Sequence, residues 1–285
     1  SAIELGCADP DNPCKLPNAM AGDPPLKQVV ATTLEAGLRG KSGGMVWNAG
    51  VFRTDNQDDI LFVADNAAGF GYFKNFGKTR RQGLEAGLST TLAGATVGAN
   101  LTWLDATFRS QELLNGAGNS SNDAVADGRP GVDGHITVQP GNRIPLVPRQ
   151  LLKLYGELPL GASFSVGADV TAVGGAYARG NENNAHQPDG TYYLGAGRSA
   201  GYAVLSLHGD WKPVRGLTVF AQVNNLLNRR YASAAQLGAT AFDANGNFVA
   251  RPFAANVNGD RPLISSTSYA PGAPRAITLG LRYAL

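Results

Sequence analysis

Nine segments of this chain alternate apolar residues with polar or small ones at a period of two, and the links between them alternate short and long. The last segment is the cleanest. Ile277, Leu279, Leu281, Tyr283 and Leu285 oppose Thr278, Gly280, Arg282 and Ala284. A β-strand sends successive side chains to opposite faces, so each segment has one apolar and one polar or small face. The segments lie at about 27–40, 45–64, 71–92, 95–110, 147–158, 162–178, 200–212, 217–231 and 274–285. Leu34-Glu35-Ala36-Gly37-Leu38 recurs as Leu84-Glu85-Ala86-Gly87-Leu88, one strand pattern used twice before a short turn.

Short links sit near Lys41–Gly44, Leu92–Gly94, Pro159–Gly161 and Pro213–Gly216; long ones run over Gln111–Leu146, Gly180–Ser199 and Ala232–Ala273. In an up-and-down antiparallel sheet every second link lies on the same edge. One edge therefore carries tight turns and the other large loops, the asymmetry of outer-membrane barrels with short periplasmic turns and long external loops. A soluble β-sandwich has no physical reason to gather its long loops at one end. Most segments reach the 9–11 or so residues that a membrane-crossing strand needs. Polar rows holding Glu35, Glu85, Asn100, Asp169, His208 and Gln222 need water or partners, which a wet or plugged lumen supplies. Trp47, Trp103 and Trp211 fall in the apolar rows, and Trp47 and Trp211 lie near short turns, where interfacial aromatics sit.

Composition removes other classes. The 285 residues carry a formal charge of +2, which gives no electrostatic case for a nucleic-acid partner. No apolar run approaches the length of a transmembrane helix. Gly71–Thr79 imitates a phosphate-binding loop, but its spacing is one residue too long, aromatics fill it and no helix follows. Gly195–Ala200 imitates a dinucleotide fingerprint, yet a strand pattern follows it. Asp243–Asn247 begins like a calcium loop and lacks the closing Glu. His135, His186 and His208 have neither zinc nor triad spacing. The chain reads as a non-enzyme with no cofactor.

Cys7 and Cys14, the only cysteines, lie in a Pro-rich stretch, Ser1–Leu26. A small disulfide ring, two reduced thiols and half of a metal site all fit them. With no further Cys or His nearby, a four-ligand zinc site is disfavoured. An odd number of strands cannot close into an antiparallel ring. The expectation is therefore an all-β, antiparallel, up-and-down transmembrane barrel portion: about nine strands of a larger barrel, with residues 1–285 as the C-terminal part of one domain. If the long links are external, Arg109, His135, Arg143, Arg179, His186, Tyr192, Tyr193 and Arg251 are candidate ligand contacts, arginine suiting an anionic chelate.

Several stretches resemble the C-terminal half of TonB-dependent outer-membrane receptors. They are Cys7-Ala8-Asp9-Pro10 to Cys14 with Leu16-Pro17-Asn18 and Asp23–Val29, then Asn75–Glu85 entering a short turn. Val223-Asn224-Asn225-Leu226-Leu227-Asn228-Arg229-Arg230-Tyr231 resembles the penultimate-strand motif, and Pro274-Arg275 with the final strand resembles the C-terminus. One departure is Leu285, where the family usually ends in Phe or Trp. The resemblance implies a barrel of about 22 strands in the Gram-negative outer membrane, filled by an N-terminal plug that lies outside this chain. It implies a TonB energy-coupling partner acting through that N-terminal region, barrel-assembly machinery reading the last strand, surrounding outer-membrane lipid, and a scarce ligand such as a ferric siderophore or similar iron chelate. A passive porin and a soluble carbohydrate-binding β-sandwich are the alternatives.

Overall fold

A computed structural model of the chain describes residues 26–65, 70–250 and 253–284. Cys7, Cys14, Arg251 and the closing Leu285 lie outside the described residues. The described residues open with β1 (Val30–Ser42), β2 (Met45–Asp65), β3 (Phe70–Leu92) and β4 (Ala95–Phe108). A connection follows that holds β5 (Glu112–Asn115), the short helix α1 (Asp123–Ala126) and β6 (His135–Val138). Next come β7 (Gln150–Leu160) and β8 (Phe164–Val173), then the two-residue strands β9 (Ala176–Tyr177), β10 (Tyr193–Leu194) and β11 (Arg198–Ser199). β12 (Tyr202–Val214) and β13 (Leu217–Asn224) lead to the hairpin of β14 (Ala232–Thr240) and β15 (Ile264–Pro271), and β16 (Ala276–Tyr283) ends the chain.

Nine of these strands form one antiparallel sheet in the order β1-β2-β3-β4-β7-β8-β12-β13-β16. They correspond one for one to the nine alternating segments. Neighbours in the sheet are neighbours in the chain apart from the loop strands, as an up-and-down wall requires. The sheet is open: among the described residues β1 and β16 are its two edges. Among the described residues no second sheet packs on it as a sandwich needs; the others are a three-stranded and two two-stranded sheets in the long connections.

The tight turns set the register. Ser42 pairs with Met45 across Gly43-Gly44, with φ of 56° and 83°. Leu92 pairs with Ala95 across Ala93-Gly94, both again at positive φ. Two-residue loops with both central residues left-handed match the twist of the flanking strands. Residues directly opposite on adjacent strands share a face, so register carries each apolar row across the wall. Trp47, Leu88, Ala99, Leu154, Val170 and Leu205 form one row through successive pairs. A parallel row runs through Ala168, Leu207, Val223 and Ile277. These side chains are not covered by protein: Leu38, Leu88, Leu154, Val166, Leu207 and Leu279 are all exposed. From Ala95 to Trp103, or Leu152 to Leu160, the band is about nine residues tall. At about 3.3 Å per residue and the usual barrel tilt it spans roughly 20–25 Å, the height of an outer-membrane apolar belt. At its short-turn border Phe164 and Trp211 stack at 5.8 Å.

The opposite face is polar. Asn48, Gly87, Asn100, Lys153 and Thr171 form one row, and Glu157, Gly167, His208, Gln222 and Thr278 another. Glycines here admit large neighbours. A Cβ on Gly98 would overlap the Tyr155 ring, and one on Gly167 the His208 ring.

The buried apolar core sits beyond the band, at the long-connection end. β2 and β3 stay paired well past it, to Asp65 and Phe70. Phe76, Phe108, Leu114, Ile136, Val138 and Ile144 pack together there, the two Phe rings 4.7 Å apart. Asp58 in β2 adopts φ 52°, which breaks the alternation and turns Asp59 inward. The Asp59 carboxylate takes Thr79 Oγ1 at 2.5 Å and Arg81 at 2.9 Å.

Candidate functional site

The three long connections, between β4 and β7, β8 and β12, and β13 and β16, are knitted into one layer. Asn119 Nδ2 donates to the Gly180 carbonyl at 2.9 Å. Backbone bonds run from Arg179 to Ala235, from Leu237 back to Arg179 and from Leu263 to Gly131. The Gly197 amide donates to Thr267 Oγ1. Arg129 meets Asp260 with two nitrogens, at 3.1 and 2.5 Å, across 131 residues. Asn122 caps α1 by accepting the Val125 amide.

Within this layer lies a cavity of about 670 Å³ with the guanidinium-bearing residues Arg143, Arg198, Arg229 and Arg230 and the phenols Tyr177, Tyr202, Tyr231 and Tyr269 in its wall. Among the described residues no carboxylate lines it. The Arg143 guanidinium lies 5.4 Å from the Tyr177 ring centre, over its face, and gives one long bond, 3.4 Å, to the Val147 carbonyl. Burial lowers the Arg143 pKa, and the neighbouring Arg149 charge adds to that; arginine stays cationic regardless. Arg149 in turn binds Asp105 at 2.7 Å, while its buried Nε has no hydrogen-bond partner among the described residues. Tyr202 and Tyr231 stack at 4.2 Å. Tyr231 can lie there because Gly272 has no Cβ to meet its ring. Four fixed positive charges, aromatic faces and hydroxyls suit a large anion with planar groups.

Among the eight loop residues singled out from sequence, Arg143 lines this cavity. Arg179 instead lines a smaller one of about 120 Å³ with Glu182, Leu61, Phe76 and Phe108. Burial raises the Glu182 carboxyl pKa, although the Gly180 amide at 2.9 Å opposes the shift. Arg109 is exposed, and its amide donates to Lys78. His135 is exposed beside Asp123, whose carboxylate takes its amide at 2.7 Å. Tyr192 is half-buried, with its amide on the Asp189 carboxylate. His186 and Tyr193 are buried inside the loop layer, and loop groups take their polar atoms. The Tyr193 hydroxyl accepts the Gly131 amide at 3.0 Å and Asn122 Nδ2 at 3.3 Å. Sequence reasoning did not single out Tyr177, Arg198, Tyr202, Arg229, Arg230, Tyr231 or Tyr269 as contacts. For Arg229, Arg230 and Tyr231 the one sequence signal is the run Val223–Tyr231, which resembles a strand motif. Its two left-handed asparagines, Asn225 and Asn228 at φ 48°, turn the chain so that Arg229, Arg230 and Tyr231 meet the cavity.

A family model described as "TonB dependent receptor-like, beta-barrel" matches residues 10–226. The chain belongs to this family. Metal-chelate uptake receptors and a copper transporter stand among the solved structures that resemble it. The ferric-catecholate import receptor Fiu from E. coli K12 shares 19% identity over 90% of this chain and 28% of its own, with a TM-score of 0.53. The copper transporter OprC shares 18% over 92% of this chain and 32% of its own, at 0.56. The ferric yersiniabactin uptake receptor FyuA from Yersinia pestis shares 17% over 90% and 30%, at 0.55. At such identities the likeness shows the fold alone. The chain spans about a third or less of each of these receptors.

Proposed function

We propose that this chain is the C-terminal part of the barrel of an energy-coupled outer-membrane receptor that imports an anionic metal chelate, most simply a ferric siderophore. The carrying observation is the loop-layer cavity, whose wall holds, among the described residues, four arginines, four tyrosines and no carboxylate. The long connections face outside and the tight turns face the periplasm. A plug domain upstream in the full-length protein fills the lumen and engages TonB. The lumen rows supply counter-charge for such a plug: among the described residues Glu35 and Glu85 have no salt-bridge partner on the wall. The barrel-assembly machinery engages β16.

The test uses the full-length receptor that carries this chain. A ferric tris-catecholate is titrated while intrinsic fluorescence is followed. Arg143→Ala and Arg230→Ala should each weaken binding about tenfold, the size of one lost charge-assisted hydrogen bond. A neutral ferric hydroxamate should be bound more weakly and respond less to either change. Unchanged affinity in both variants rejects the cavity and leaves the barrel standing. Uptake that continues after a protonophore collapses the membrane potential rejects energy coupling in favour of a passive porin.

A further inference from the structure

Arg143 reaches the cavity from the first long connection, between β4 and β7. Its segment pairs with the end of β4. The Phe108 amide donates to the Asn142 carbonyl at 2.9 Å, the Ile144 amide donates to the Ala106 carbonyl at 3.0 Å, and Arg143 lies opposite Thr107 between them. In an antiparallel ladder the residue between two such bonds turns its own amide and carbonyl to the other side. The Arg143 backbone therefore faces away from β4, where a further strand would ordinarily satisfy it.

Among the described residues the place of that strand is taken by one side chain. The Arg143 amide donates to Asn184 Oδ1 at 2.5 Å, and Asn184 Nδ2 donates to the Arg143 carbonyl at 3.0 Å. A primary amide carries a donor and an acceptor side by side, so it serves both backbone groups at once. Asn184 belongs to the second long connection, 41 residues on, and is itself fixed there. Its backbone is left-handed, at φ 60°, a conformation that asparagine tolerates better than most residues. Its amide and its Nδ2 both donate to the Asn181 carbonyl, each at 3.1 Å. Buried Asn181 is anchored in turn, with Nδ2 on the Gly197 carbonyl and Oδ1 accepting the His186 amide.

The Arg143 guanidinium is held more lightly than its backbone, by the Tyr177 ring face and one 3.4 Å bond to the Val147 carbonyl. Where it points is set chiefly by where the backbone holds its Cα and Cβ. We propose that Asn184 is a positioning residue of the cavity: by clamping both backbone groups of Arg143 it presents that guanidinium to the anion already ordered, which removes an ordering cost from binding. The inference rests on the cavity being the ligand site.

The experiment is a double-mutant cycle on the full-length receptor. Its probe is a ferric tris-catecholate, and hydrogen exchange of the Arg143 amide, resolved by fragmentation mass spectrometry, gives a readout without ligand. Asn184→Gly removes the side chain alone, because glycine takes the left-handed backbone without strain. It should weaken binding about fivefold and speed exchange of the Arg143 amide about tenfold in the free receptor. Beside Arg143→Ala it should cost nothing further, since the group it positions is gone. Arg230→Ala should keep its full effect in Asn184→Gly, as an otherwise intact cavity requires. A loss that persists in full beside Arg143→Ala would make Asn184 a general support of the loops and overturn the proposal. Unchanged affinity in Asn184→Gly, where Arg143→Ala weakens binding, overturns it and leaves the cavity as the ligand site. Unchanged affinity in Arg143→Ala itself rejects the cavity contact and the positioning role together, so the silent variant tells the two failures apart. Fast exchange of the Arg143 amide in wild type also overturns the clamp, and that measurement needs no variant to fold.

Discussion

The His186 imidazole is the smallest unit that holds the loop layer together. Its Nδ1 accepts the Ser120 amide at 3.2 Å, and its Nε2 lies 3.3 Å from the Gly195 carbonyl, a pattern that the Nε2–H tautomer satisfies. The Tyr193 ring packs edge-on to it at 6.2 Å. Burial lowers its pKa below the ordinary 6.5, with the Gly195 carbonyl and Asp189 opposing. A base whose folded pKa is depressed is stabilised as the neutral form. Its contribution is complete above about pH 6.5, where the unfolded imidazole is also neutral, and is lost as pH falls below that value. Hydrogen exchange at Ser120 and 181–187, corrected for intrinsic rates, should therefore accelerate between pH 7 and pH 5. In His186→Gln the same amides should exchange faster at pH 7, by roughly 1–2 kcal/mol of local protection, with the acid-dependent component gone. Acceleration that persists in His186→Gln would assign the effect to another group. Sequence could show that His186 and Tyr193 are polar residues of a long link. It could not show their burial, because the groups that cover them, Ser120 and Gly131, lie more than sixty residues away.

At the scale of the strand, alternation was enough. All nine wall strands could be read because an exposed apolar face on one side and a polar face on the other impose the same period-two rule on each. The small strands of the loop layer obey no such rule. β9, β10 and β11 are two residues long and exist only through distant partners, as when Tyr193 pairs with Ser265 in parallel. Asp58 breaks the rule inside a strand, and no pattern in β2 announces its left-handed backbone. The lipid-facing assignment has its own test. Val166 lies opposite Leu158 and Gly209 in the apolar band and is 43% exposed. Val166→Lys in the full-length receptor should cost roughly 2–4 kcal/mol if near the midplane, less toward either border, read from urea-dependent folding into bilayers. Ser206, opposite Asp169 on the lumen face, should accept Lys with little cost. Equal effects at the two positions would contradict the two-faced wall.

At the scale of the whole molecule, nine of the strands form one wall with an apolar face and, among the described residues, two unpaired edges. β1 and β16 each present a ladder of backbone donors and acceptors, and in a bilayer unpaired groups cost several kcal/mol each. Leu34, Leu38, Ile277, Leu279 and Leu281 are the most exposed of the wall's apolar residues beside those edges. We propose that further strands complete such a wall, in keeping with its covering about a third or less of the proteins it resembles. We therefore expect the 285-residue chain, folded alone in detergent, to form polydisperse oligomers without heat-dependent gel mobility. Co-folding with the N-terminal remainder of the same receptor should restore one compact, heat-modifiable species, because each open edge then gains a partner strand. A monodisperse, protease-resistant barrel formed by the isolated chain would mean that β1 and β16 find other partners, and the partial-barrel reading would fall. The cavity arginines should depend on completion differently. Arg143, Arg198, Arg229 and Arg230 come from connections between β4 and β16 alone, so their mutual placement needs no missing strand. In the receptor we propose, closure adds the remaining walls and a plug. An anionic chelate should accordingly bind the completed receptor tightly and the isolated chain weakly, with Arg143→Ala lowering affinity in both.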